Sequence, residues 1–162
     1  MSKARIKAAP NTFKKIFNKH PAKKHTRCDI SSAGCLLVRG SNVFLGVHDK
    51  GLCDLGGKLE LSESPWDAAR RECHEECGFL PEAHHGSVVL GKYGKHELFV
   101  VSLPAAVNVH ELRPIKSGDA VSSVIALTLP LWNSRKKLHP RLKFASGPQM
   151  VEIQVKCNKI LF

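Results

Sequence analysis

Along residues 31–103 apolar side chains come in short runs, broken by glycine, asparagine and aspartate, as in strands joined by tight turns. Residues 31–39 (SSAGCLLVR) and 43–48 (VFLGVH) predict a hairpin about residues 40–42, with a second turn at residues 49–51. Residues 52–55 lead into the pair Gly56 and Gly57, where a backbone without Cβ tolerates positive φ and close approach of another group. Residues 58–61 read as a short extended piece. Residues 87–90 and 96–103 are expected to be strands, the second with Leu98, Phe99, Val100 and Val101 unbroken, as in a strand buried on both faces. Residues 104–118 read as a loop and 120–129 as a strand. Residues 131–144 read as a helix interrupted or ended near Pro140, and 150–155 as a last strand.

Between these strands the period changes. Over residues 65–77 Trp66, Ala69, Cys73 and Cys77 fall on one face of a helix, while Asp67, Arg70 and His74 point to solvent. Ser64 is placed to cap this helix, with Pro65 at its first position, Asp67 three residues on and Gly78 at its end. On the remaining face Glu72, Glu75 and Glu76 share an arc of about 100°. Like charges at this spacing repel, so a helix built for stability alone would avoid them. A hard divalent cation, which takes carboxylate and phosphate oxygens as ligands, removes the conflict.

Composition adds compartment and charge. At 162 residues with 43% hydrophobic content the chain is expected to form one core, and no run is long enough for a spanning helix. The N-terminus has no apolar h-region of a secretory signal. The six cysteines form no CxxC pair and no metal-type spacing with histidine, which fits reduced thiols in an intracellular, cytoplasmic protein. The net charge of +11 is uneven: residues 1–28 hold nine lysines and arginines and no acid, and the rest sixteen bases and fourteen acids. Residues 1–27 are accordingly read as a basic arm, with a short helix at residues 12–18, and residues 28–162 as a single domain. Such an arm is a solvated tail, a phosphate-binding arm for nucleic acid, or a nuclear or organellar address. Arg135, Lys136, Lys137, Arg141 and Lys143 form a second basic cluster.

Gly57, Glu63, Arg71, Glu72, Glu75, Glu76 and Gly78 stand at the spacing G-x5-E-x7-R-E-U-x-E-E-x-G-U, with Phe79 closing it. Over residues 57–79 the chain thus resembles the Nudix hydrolases. It departs from their pattern at Cys73, where a bulky aliphatic residue is usual, and lacks the proline common before the two glycines. The resemblance implies an α/β/α sandwich around a mixed β-sheet and Mg²⁺- or Mn²⁺-dependent hydrolysis of a nucleoside diphosphate linked to another moiety. By the family pattern Glu72, Glu75 and Glu76 would be the metal ligands, one of them a candidate base. Arg71 would pin a glutamate of the motif, Glu63 would support the site, Gly57 would let backbone approach the metal or phosphate, and Lys58 would touch a phosphate. Outside the motif His96, Glu97, Glu111 and Asp119 are candidate extra bases.

Subfamily marks are sparse: no SQPWPFPQS-like array occurs, and Tyr93 lies slightly early for the tyrosine of dinucleoside-polyphosphate members. Charge then selects the substrate. A basic arm and the cluster at Arg135, Lys136 and Lys137 favour a long polyanion, so capped or 5′-polyphosphorylated RNA is the first choice, as in decapping. Small nucleotides are the alternative, and a non-catalytic RNA-binding or regulatory module is the reading from another class. Trp132, Tyr93 and Phe44 are the aromatics available to stack a base.

Overall fold

The computed structural model describes residues 30–90, 95–116, 121–128, 138–143 and 147–158. The arm with its expected helix, Cys28, Tyr93, Asp119, Trp132, Arg135, Lys136 and Lys137 lie outside the described residues. The described elements run β1 Ser32–Arg39, β2 Asn42–His48, β3 Gly51–Cys53, β4 Leu55–Lys58, α1 Pro65–Cys77, β5 Ser87–Leu90, β6 His96–Ser102, β7 Val121–Thr128, α2 Pro140–Lys143 and α3 Gly147–Asn158.

The sheet is mixed. β1 runs parallel to β6 along its whole length and antiparallel to β2 and β4, while β5 closes on β6 and β7 lies along β2. Near the hairpin turn β1 pairs with β2, from Leu37 with Phe44 to Arg39 with Asn42. Further from the turn the two strands part, and residues 51–58 fill the gap: Cys53 pairs with Gly46 of β2, and Leu55 with Cys35 of β1. The sheet forks there, and Asp54 is the single residue between the two prongs.

Side chains alternate across the sheet as the period of two requires. Ala33, Cys35 and Leu37 of β1, Phe99 and Val101 of β6 and Phe44 of β2 pack with Ala68, Ala69, Cys73 and Cys77 of α1. Leu36 and Val38, Val43 and Leu45, and Leu98 and Val100 enter the other core with Leu138, Leu142, Ile153 and Cys157. The result is the expected α/β/α sandwich, with β6 buried on both faces, each fully buried side chain contributing about 1.5–3 kcal/mol. Cys73 is fully buried beneath α1, and the five described cysteines are free and buried. Phe44, a candidate stacking aromatic, is only 5% exposed and belongs to that core.

Three expectations are corrected. Residues 150–155, read as a strand, lie inside α3: Ile153 and Cys157 stand one helical turn apart on a buried face, and the short window 150–155 hides that period. Pro140 begins α2 rather than ending a helix, a position where its missing N–H costs nothing. Arg70 is half-buried rather than solvated, donating from Nε to the Pro81 carbonyl at 2.6 Å and lying over the Trp66 ring. Within residues 104–118, read as loop, a 3₁₀ turn forms at Val109–Glu111.

Candidate active site

α1 is fixed at both ends. Ser64 Oγ accepts from the Asp67 N–H at 3.1 Å and donates to the Asp67 carboxylate, and Gly78, at φ +80°, donates its N–H to the His74 carbonyl. With the helix seated by its apolar stripe, its acid face turns toward the glycine pair of β4.

Arg71 is the hub of that face. Its Nε and Nη2 donate to both oxygens of Glu63 at 2.9 and 3.0 Å, its Nη1 to Glu72 Oε1 at 2.8 Å, and its Nη2 to the Lys58 carbonyl at 3.1 Å. The two-point fork on Glu63 is the strong form of such a pair. The hydrogen bonds from Arg71 hold the Glu63 carboxyl below the usual range, and the bonds to Glu63 and then Glu72 push the guanidinium higher still. Glu72 lies against Gly57 so closely that a Cβ there would overlap its carboxylate. The glycine is required by approach. Glu75, 30% exposed, stands 3.9 Å from Arg71 and 3.6 Å from Lys116. Glu76 is buried and accepts the Gly56 N–H at 2.8 Å. Burial, then the charges of Asp54 and Glu72, raise its carboxyl to about 8.

Gly56, Gly57, Glu72, Glu75 and Glu76 line a cleft of about 280 Å³ together with His48, His139 and Arg141. Among the described residues no three acidic, imidazole or thiol groups are drawn close enough to hold an ion as they stand. The donor set nevertheless fits a hard divalent cation. Three carboxylates line one cleft, Glu72 is seated by Arg71 and Gly57, and Glu75 is the most exposed of the three.

The other candidates are placed apart from this cleft. Lys58 ends β4 exposed, offering its carbonyl rather than its ammonium to Arg71. Glu97 accepts from Ser87 Oγ at 2.6 Å, and Glu111 is exposed beside Asn108. His96 is buried, 2.8 Å from Ser32 Oγ and 2.9 Å from Asp54.

Sequence reasoning missed Asp54, His48 and His139, and took Arg141 for one base in a cluster. Asp54 is wholly buried. Burial opposes its ionisation, but Arg141 and His96 outweigh that and hold its carboxyl well below the usual range. His48 and His139 meet edge to face, ring centroids 5.0 Å apart; burial and then the Arg141 charge lower the His139 imidazole. A lone aspartate inside the apolar run LCDL was the available signal.

Residues 27–143 match the model of the NUDIX domain, most of the chain's length, so the chain belongs to that family and is a hydrolase of pyrophosphate bonds. Members of the family generally use divalent metal ions. Its fold is similar to that of the Bacillus subtilis pyrophosphohydrolase BsRppH, at 21% identity and a TM-score of 0.56, covering 90% of each chain. It is also similar to RenU, a Nudix hydrolase from M. smegmatis, at 18% and 0.56, covering 80% of this chain and 87% of that one. A third is a C. elegans Ap4A hydrolase, at 16% and 0.55, covering 82% and 97%. None of the curated proteins compared matches the chain.

Proposed function

We propose that this cleft hydrolyses a diphosphate linkage in a nucleoside diphosphate joined to another group, with Glu72, Glu75 and Glu76 as ligands of Mg²⁺ or Mn²⁺. The observation that carries the reading is that these three carboxylates line one cleft with the glycine pair, with Glu72 pressed against Gly57 and Glu76 bonded to Gly56. Bound there, a divalent ion would neutralise phosphate charge and lower the pKa of an attacking water. The residues themselves orient: Arg71 ties Glu72 to Glu63, so the acid face is held to the loop preceding α1.

The preferred substrate is the 5′ cap or 5′ polyphosphate of RNA. The cleft has room for the phosphate chain, while the nine bases of residues 1–28 would meet the phosphates of a strand running beyond it. The similar fold of a pyrophosphohydrolase, BsRppH, supports the same direction. The free, buried thiols suit an intracellular setting.

The test is a Mg²⁺/Mn²⁺ hydrolysis panel of capped RNA, 5′-triphosphorylated RNA, free cap analogue, ADP-ribose, dinucleoside polyphosphates and nucleoside triphosphates, run with wild type and Glu76→Gln. RNA substrates should turn over fastest. Glu76→Gln should lose more than the roughly 10- to 100-fold typical of outer-shell partners. Undiminished turnover by Glu76→Gln would remove the metal-site reading; preference for free small nucleotides would replace RNA with those.

A further inference from the structure

We propose that Arg141 is a substrate-phosphate contact of this cleft, and that the buried Asp54 is the positioning residue that aims it. The inference rests on the diphosphate-cleaving reading above.

Asp54 occupies a niche built for a carboxylate. It sits at the fork between β1 and β2, where Gly34 and Gly56 face each other. A Cβ on Gly34 would run into Asp54 Oδ2, and one on Gly56 would lie 2.9 Å from the same atom. Oδ2 is fixed by His96 Nε2 at 2.9 Å, and His96 is itself held by Ser32 Oγ. Oδ1 has no hydrogen bond among the described residues, and neither has Nε of Arg141; the two face each other at 3.3 Å. Arg141 Nη1 donates to the Gly56 carbonyl at 3.1 Å. The guanidinium is therefore pinned at two points beside the glycine pair.

Its own backbone is pinned too. Leu138 bridges to Leu52, the His139 N–H donates to the Leu52 carbonyl at 2.7 Å, and the Arg141 N–H donates to His139 Nδ1 at 3.2 Å. Even so, the Arg141 side chain keeps 24% of its exposure and lines the same cleft as the glutamates. Of the five N–H donors of a guanidinium, one on Nη1 is bonded to the Gly56 carbonyl while Nε faces Asp54, which leaves donors for a ligand.

Stability alone does not account for this arrangement. A buried ion pair returns little that well-packed apolar residues of the same size would not. What it supplies is direction: a planar, always-charged fork suited to two phosphate oxygens at once, fixed before substrate arrives. A phosphate chain in the cleft would meet this cation as well as the carboxylates of α1. Positive charge not fixed in this way would be drawn to the glutamates, as Arg71 and Lys116 are.

The test uses the full chain and methylenediphosphonate, a diphosphate mimic that is not hydrolysed, titrated calorimetrically with Mg²⁺ present. Arg141→Gln should weaken binding about 10- to 100-fold, the size of one or two charge-assisted hydrogen bonds. KM should rise in step while kcat stays within about threefold, the signature of lost binding rather than lost chemistry. Arg141→Lys should restore only part, and Asp54→Asn should raise KM with Arg141 intact. Should Arg141→Gln unfold, Asp54→Asn with Arg141→Gln removes both charges together and should show the same loss. A folded Arg141 variant that binds the diphosphonate like wild type overturns the proposal, as does a fall in kcat with binding unchanged. If wild type hydrolyses substrates of the panel while the Arg141 variants bind normally, this assignment alone falls. If wild type neither binds the diphosphonate nor turns over any substrate, the reading of the cleft falls and takes this assignment with it.

Discussion

At the scale of single residues the site is a problem of unpaired charge solved by neighbours. Glu72 leans on Arg71, Glu76 on the Gly56 N–H, and Asp54 on His96 and Arg141. Asp54 gives the clearest pH consequence. The groups about it are Arg141 and the hydrogen-bonded His96 ring, which favour its ionised form, and Glu76, which lies across Gly56 from it. Its folded carboxyl titrates below its unfolded value of about 3.9. The stabilisation is therefore present above that pH and is lost as pH falls through the folded value. Asp54→Asn should cost about 3 kcal/mol at pH 7, since it strands Arg141 without its partner. The cost should shrink as pH is taken below 4 in paired urea titrations; a constant difference across that range would contradict the ion pair.

At the scale of elements, α1 carries core, acids and solvent face on thirteen residues, so its rotation about its own axis must be set tightly. The stripe of Ala69, Cys73 and Cys77 against the sheet sets it, and the caps fix where it begins and ends. Ser64→Ala removes the acceptor for the Asp67 N–H. It should cost about 1 kcal/mol, or about 2–4 °C in Tm for a domain of this size, measurable by thermal denaturation. This element was legible because local rules write it: cap residue, proline, period and terminal glycine are all close in sequence. The acid face followed from the same period. α3 was not legible, because the window of apolar residues at 150–155 fits a strand as well as a buried helix face, and only the packing of Ile153 and Cys157 on the core decides.

At the scale of the molecule the charge is uneven: residues 1–28 hold nine bases and no acid, and the rest sixteen bases and fourteen acids. Deleting residues 1–27 should weaken RNA binding and flatten its dependence on salt, by about 0.7 in slope for each phosphate of a single strand that the arm no longer neutralises. Hydrolysis of small nucleotides should be unaffected. Filter binding across a salt series beside a turnover assay separates the two; equal loss of both would place the arm's role in the fold rather than in RNA.

The sequence by itself determined α1, because everything needed to specify it lies within residues 57–79 and reads at one helical period. It also determined the central strands, whose alternation survives in both cores. Only the tertiary structure decided what joins the acid face of that helix in the cleft. Asp54 and Arg141 are 87 positions apart, and nothing local distinguishes an aspartate at a sheet fork from one in a turn, or Arg141 from the other bases of its cluster. Their pairing exists because the β1–β2 fork leaves a niche that two glycines keep open, and because α2 is tied to β3 at Leu52. This pairing is made by folding, not by pattern.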